Sequence, residues 1–282
     1  LTLNLGIVSG HDLLGLTTAE AVRICLATAG VWWGVFTTRT YLGLRDLPPS
    51  PGLATGPAPA CWRERGALFT SSFTQLLTTL RHLRGYRQTL LFLVAYLFFN
   101  DGIQTVIATS SLFGSQEIGL DDQTLVLTIL IVQFVALVGA RVFGAVAARI
   151  GAKRTILASL VVWTVVLVFA YFLPEKKVVP FLVLGVLIGL VLGGSQALSR
   201  SLFSQLIPRG REAEYFSLYQ AAERGTSWFG TLTVGLVYQL TGSYRDAIIT
   251  LVAFFVLGGL LLARLDVRRG IEDAGNPAPA LL

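Results

Sequence analysis

The 282-residue sequence contains no methionine, two cysteines and two histidines, and only 13% of its residues are charged. Each shortage excludes something. Soluble domains carry about 25% charged residues, so this chain is too poor in charge for an ordinary water-soluble globule. Cys25 and Cys61 lack the paired spacing of a metal site or a disulfide framework, and His11 and His82 are equally isolated. No phosphate-cradling glycine loop, nucleophile elbow or zinc-binding helix motif is present. The expectation is a protein that is not an enzyme, with no metal and no cofactor. The opening LTLNLGIVSG lacks the basic region and small-residue cleavage site of a signal peptide. With no Met anywhere, these residues read as the tail of a span that begins upstream, and the chain as the C-terminal part of a longer protein.

Apolar residues are what the chain has in abundance: 54% are hydrophobic, and the mean hydropathy is +0.68. A membrane span needs about 20 mostly apolar residues. After the partial first run, the pattern predicts about seven complete spans, roughly 20–41, 88–112, 124–147, 154–173, 178–203, 214–240 and 245–264. The segment 42–87 differs. Its LPPSPGLATGPAPA stretch reads as a flexible linker. Phe69, Phe73, Leu76, Leu77 and Leu80 then share one helix face, followed by Arg81, Arg84 and Arg87. That spacing predicts a basic amphipathic helix, lying on the membrane surface or packed beneath the bundle.

Lys and Arg in short loops set orientation. Arg39, Arg45, Arg63, Arg65, Arg81, Arg84 and Arg87 place 42–87 in the cytoplasm, and the acidic SQEIGLDDQ loop outside. Arg149, Lys153 and Arg154 go inside, as do Arg209, Arg211, Arg264, Arg268 and Arg269; only Lys176 and Lys177 break the pattern. The net charge of +6 thus belongs to cytoplasmic loops and needs no nucleic acid partner. The resulting division is 1–41 as the end of a first bundle, 42–87 as a cytoplasmic linker, 88–265 as a six-span bundle and 266–282 as a cytoplasmic tail.

Polar residues inside apolar runs are the candidate functional positions. Asn100-Asp101-Gly102 lies mid-way along the run from Thr89 to Thr109. A carboxylate at the centre of a span costs about 2.5–3.5 kcal/mol. Asn100, Asp101 and Gln104 share a helix face that should point into the bundle. They read either as part of a solute or ion pathway or, for Asp101, as a cap on a helix broken at Gly102. The 214–240 run carries Gln220, Glu223, Arg224 and Ser227. Gln220, Glu223 and Ser227 fall on one face, with Arg224 rotated about 100° away from Glu223. Arg224 is placed to meet Asp101 or an anionic solute group, or else to snorkel to the interface with Glu223. Gln196 and Arg200 sit where their span nears the cytoplasm and read as an inner mouth. Gly185, Gly189 and Gly193, spaced four apart and followed by Gly194, predict close helix packing.

The segment GAVAARIGAKRTIL, with Gly144, Arg149, Gly151 and Lys153, resembles the signature loop of the major facilitator superfamily, although Ala148 stands where that loop has an acid. FLVAYLFFNDGIQTVI, GGSQALSRSLFSQLIP and AEYFSLYQAAERGTSWFGTLTVGLVYQLTGSYR resemble the vacuole-effluxer-like family of that superfamily, and AVRICLATAGVWWGVFTTRTYLGLRDLP is similar to its sixth span. That resemblance covers nearly the whole chain. It implies an all-α membrane protein of the major-facilitator type: the second six-helix half, plus the last one or two helices of the first. It implies a secondary transporter or effluxer of a small polar solute, an amino acid by family lead, working by alternating access. A basic residue at the place of Arg224 is usual in the family. The implied partners are the lipid bilayer, the solute, a coupling proton and the N-terminal half of the same protein. The expected location is a bacterial plasma membrane with the C-terminus in the cytoplasm, or a vacuolar membrane in a eukaryote. The rival reading is a non-transporting scaffold or receptor whose buried polar groups only fix helix packing.

Overall fold

In a bilayer every backbone N–H and C=O must find its partner within the protein, which a helix achieves segment by segment. A computed structural model of the chain describes residues 4, 6, 7, 10, 15–43, 83–225 and 227–277. Among the described residues the regular structure is entirely helical. The predicted linker and the amphipathic stretch within it lie largely outside these residues. Leu1–Pro59 and Ala60–Leu282 are two separate units.

In the first unit, α1 (Thr18–Gly43) is an apolar helix held against the preceding residues by Asn4. The Asn4 Nδ2 donates to the Cys25 carbonyl at 3.3 Å, and the Thr28 hydroxyl donates to Asn4 Oδ1 at 3.1 Å. Trp32, Trp33, Phe36 and Tyr41 remain exposed along it.

The second unit contains α2 (Arg87–Leu112), which continues into a π-helical turn at Phe113–Glu117, then α3 (Asp122–Ile150), α4 (Ala152–Tyr171) and α5 (Val178–Gln205). There follow α6 (Glu212–Gly225), α7 (Ser227–Thr241), α8 (Tyr244–Ile249), α9 (Val252–Ala263) and α10 (Val267–Asp273). Among the described residues six stretches are long and apolar enough to cross a membrane: α1, α2 with its π turn, α3, α4, α5 and the run Tyr244–Ala263. The run expected at 214–240 is helical as α6 up to Gly225 and as α7 from Ser227, with residue 226 outside the described residues.

The centre of the second unit is α2, packed against α9, α7 and α6. Phe92, Ala95, Tyr96, Phe99 and Ile103 are all but fully buried along it. Gly102 lies inside this unbroken helix rather than at a break. Its missing side chain admits Phe254 and Phe255 of α9, while Gly258 of α9 in turn receives Phe99 and the Ala95 carbonyl. The small-residue stripe of α5 meets α3 in the same manner. Gly185 faces Thr128, Gly189 the backbone of Val132 and Gly193 that of Ala136, while Gly139 of α3 faces the Leu190 carbonyl. Helices in lipid gain no hydrophobic drive from one another, so such close backbone contact is what binds them.

Gly151, at φ +91°, makes the turn from α3 into α4. Gly144 faces open space, and the close partner of α3 is α5. At the other end of α3, Asp121 caps the helix by accepting from the Thr124 hydroxyl at 2.7 Å and the Thr124 N–H at 3.1 Å. Those two bonds hold its carboxyl below the usual aspartate range.

Several helix C-termini are capped by distant side chains. Lys153 Nζ donates to the carbonyls of Ala263 and Leu265 at 2.9 and 2.7 Å, closing the end of α9. Arg245 donates to the carbonyls of Tyr171 and Leu173 at 3.0 and 2.7 Å, and binds Glu117 at 3.0 Å. The stretch expected as a tail includes a packed element: α10 lies on α2 with Ile271 fully buried. Beyond α10, Asn276 Nδ2 donates to the carbonyls of Gln205 and Ile207 at 2.9 and 2.8 Å.

Candidate functional site

The polar pair of α2 reaches both α6 and α7. Asp101 Oδ2 accepts from the Gly230 N–H of α7 at 2.7 Å. Asn100 Nδ2 donates to the Glu223 carbonyl of α6 at 3.3 Å. Asn100, Asp101 and Thr105 are 0% exposed. Gly230 is a glycine because of this contact. A Cβ there would strike the Thr105 hydroxyl and stand 3.3 Å from the Asp101 carbonyl.

One turn along α2, the site acquires charge from two other helices. Glu223 of α6, with 9% side-chain exposure, binds Arg200 of α5, with 51%, at 3.2 and 3.3 Å through its two carboxylate oxygens. Beside this pair the Tyr96 and Tyr219 rings stack at 4.2 Å, and Phe203 stacks on Tyr219 at 5.0 Å. An apolar, aromatic setting of this kind raises the strength of any electrostatic contact made within it. Not every polar atom is satisfied: Asn100 Oδ1, Asp101 Oδ1, Thr105 Oγ1 and the Tyr215 hydroxyl have no hydrogen-bond partner among the described residues.

The predicted positions therefore separate. Asn100, Asp101 and Glu223 come together, and Arg200 joins them instead of standing apart at an inner mouth. Gln104 and Gln196 are half-buried. Gln220 and Arg224 lie exposed on α6, and Asp101 takes its bond from a backbone N–H instead of from Arg224. The reason is the helical period. Tyr215, Tyr219 and Glu223, each four residues apart, form the buried stripe of α6, which turns Gln220 and Arg224 outward. The Ser227 side chain lies outside the described residues. In the signature loop, Arg149 is exposed and Lys153 acts as the cap described above.

Thr105, Gly230, Tyr96 and Tyr219 are the members that sequence reasoning missed. The four-residue spacing of Tyr215, Tyr219 and Glu223 was a usable signal for one of them. Among the described residues no group of three or more His, Cys, Asp and Glu side chains could hold a metal ion. What the site offers is a pair of opposite charges, an uncompensated carboxylate and aromatic walls.

The description "vacuole effluxer Atg22 like" defines a known protein family that matches residues 1–275. Autophagy-related protein 22-1 of Neosartorya fischeri is 32% identical over 272 residues, covering 91% of this chain and 44% of the relative. An uncharacterized MFS-type transporter of Bacillus subtilis, YxiO, is 29% identical over 252 residues, covering 89% of this chain and 55% of the relative. The chain thus spans about half the length of the curated relatives it matches.

Proposed function

This chain belongs to the Atg22-like vacuole effluxer family, a membrane transporter class rather than an enzyme class, and we propose on that premise that it builds one wall of a solute pathway. The observation that carries the reading is the Arg200–Glu223 pair at 3.2 Å beside Asn100 and Asp101, inside a bundle of apolar helices. Ionisable groups in membrane interiors are costly and mark solute or ion pathways. Polar groups kept only as packing glue should be satisfied. Here Asn100 Oδ1 and Asp101 Oδ1 have no partner among the described residues, which favours a pathway over a scaffold or receptor.

The solute of this reading is small and polar, and an amino acid fits it. Arg200 would receive a carboxylate and Glu223 an ammonium group, with Tyr96 and Tyr219 flanking them. Transport proceeds by alternating access. Residues 1–41 are read as the end of a first-half bundle and 42–87 as the cytoplasmic linker; transporters of this plan hold their site between two such halves. Asp101 is the coupling position, where a proton or a metal cation would each supply the missing positive charge. On this reading the C-terminus faces the cytoplasm, from a bacterial plasma membrane or, in a eukaryote, a vacuolar membrane, and the positively charged loops support that orientation.

Counterflow of labelled amino acids into proteoliposomes, using the full-length protein, tests the proposal. Saturable exchange is expected, lost in Arg200→Gln and Glu223→Gln at unchanged incorporation. Exchange no greater than in protein-free liposomes across a panel of small polar solutes would return the polar cluster to a packing role.

A further inference from the structure

We infer that Asn100, Asp101 and Thr105 supply oxygen ligands for a monovalent metal cation, with sodium the ion of choice. The inference deepens the pathway reading of α2 and rests on it only for the purpose such an ion would serve. Three observations carry it, beginning with charge balance. The interior acid Glu223 is matched by Arg200, and Glu117 by Arg245. Asp101 has no Lys or Arg within ion-pair distance among the described residues. Arg224, the partner expected from sequence, is turned outward on α6. The helices α7 and α9, which pack against α2 on either side, contain no charged residue at all.

The second observation is a surplus of acceptors. Asp101 Oδ1, Asn100 Oδ1 and Thr105 Oγ1 belong to fully buried residues, lie within about two helical turns of one another, and have no hydrogen-bond partner among the described residues. They do not bond to each other either, so a proton added to Asp101 would leave the remaining oxygens unsatisfied. Each buried orphan costs about 1–3 kcal/mol. A cation held by Asp101, with the other two oxygens turned to it, would satisfy all three.

The third is the kind of cation. A donor set of one carboxylate, one amide oxygen and one hydroxyl is all-oxygen, which suits a hard ion and not a soft thiophilic one. Calcium sites recruit several carboxylates; this one has a single carboxylate, which also accepts the Gly230 N–H. A single positive charge is what remains to be matched.

The test is thermal unfolding of the purified chain in detergent, followed by tryptophan fluorescence. Sodium chloride is exchanged for choline chloride at constant ionic strength, with lithium and potassium chloride as comparisons. A saturable rise in midpoint with sodium is expected. Asp101→Asn should lose it, the isosteric Thr105→Val should shift its half-saturation upward, and Asp122→Asn, exposed at the start of α3, should keep it. Circular dichroism confirms that each variant is folded. A rise produced only by acidification, no rise with any metal, or a rise that persists in Asp101→Asn each overturns the inference. A sodium response in a protein that moves no solute would refute the pathway reading and leave the site standing. Transport without a sodium response would do the reverse.

Discussion

Replacing Asp101 by asparagine in the full-length protein separates the two roles a buried carboxylate can play. Asparagine keeps the size of the side chain and an oxygen able to accept the 2.7 Å bond from Gly230. Two energies then compete. A hydrogen bond to a charged group is worth about 1.5–3 kcal/mol and a neutral one about 0.5–1.5, so about 1–1.5 kcal/mol is lost. Removing an ionised carboxylate from the membrane interior recovers about 2.5–3.5 kcal/mol. The second effect wins by about 1–2 kcal/mol, which raises the unfolding midpoint by a few degrees in a domain of this size. The comparison is made in sodium-free buffer, where no bound cation stabilises the wild type. Thermal unfolding in detergent and counterflow in proteoliposomes are measured on the same preparation. The expected result is stability equal to or above wild type together with loss of transport. A fall of several degrees would show that the charge holds the α2–α7 contact together and that the energetic argument is wrong. Wild-type counterflow would show that the carboxylate has no part in transport.

Gly193→Val should destabilise by about 1–3 kcal/mol or more, because the added carbons meet backbone that cannot swing aside, at Ala136 of α3. Gly144→Ala, which faces open space, should leave the unfolding midpoint unchanged or slightly raised. Asp121 has a depressed carboxyl pKa, so the stability it lends to the start of α3 is present above about pH 3.9 and is lost as pH falls through its lower folded value. Asp121→Asn should lack that acid-side dependence in a pH series of unfolding midpoints. On a background without Cys25 and Cys61, a cysteine at Ser115 should label from outside and one at Arg209 only after permeabilisation; the reverse pattern would invert the proposed topology.

The helical membrane fold was readable because its signal is redundant. About 20 apolar residues in a row admit few structures other than a span, and α2, α3, α4 and α5 each coincide with such a run. The α5 stripe was readable for a similar reason: Gly185, Gly189 and Gly193 have a spacing that only close packing rewards. What failed was pairing between helices. Whether Arg200 or Arg224 meets an interior acid depends on how α5 and α6 are rotated about their axes, and that is decided by the burial of Tyr215 and Tyr219 against α2 and α5. Gly102 invited a break where the helix continues, because a glycine that admits a neighbour and a glycine that ends a helix look alike in one dimension. Gly230 was invisible for the complementary reason: its value lies in an N–H aimed at a residue on another helix.

The central claim is that the polar centre around α2 faces a path for solute, and accessibility from water tests it most directly. Gln104, half-buried one turn beyond Asn100, is replaced by cysteine in a full-length protein that has no other cysteine. The rate of modification by a membrane-impermeant thiol reagent is then measured with and without solute. The account predicts modification despite the position deep within a span, slowed in a saturable manner by the transported solute. A cysteine that stays unmodified in the folded protein, or one whose rate no solute changes, would contradict it.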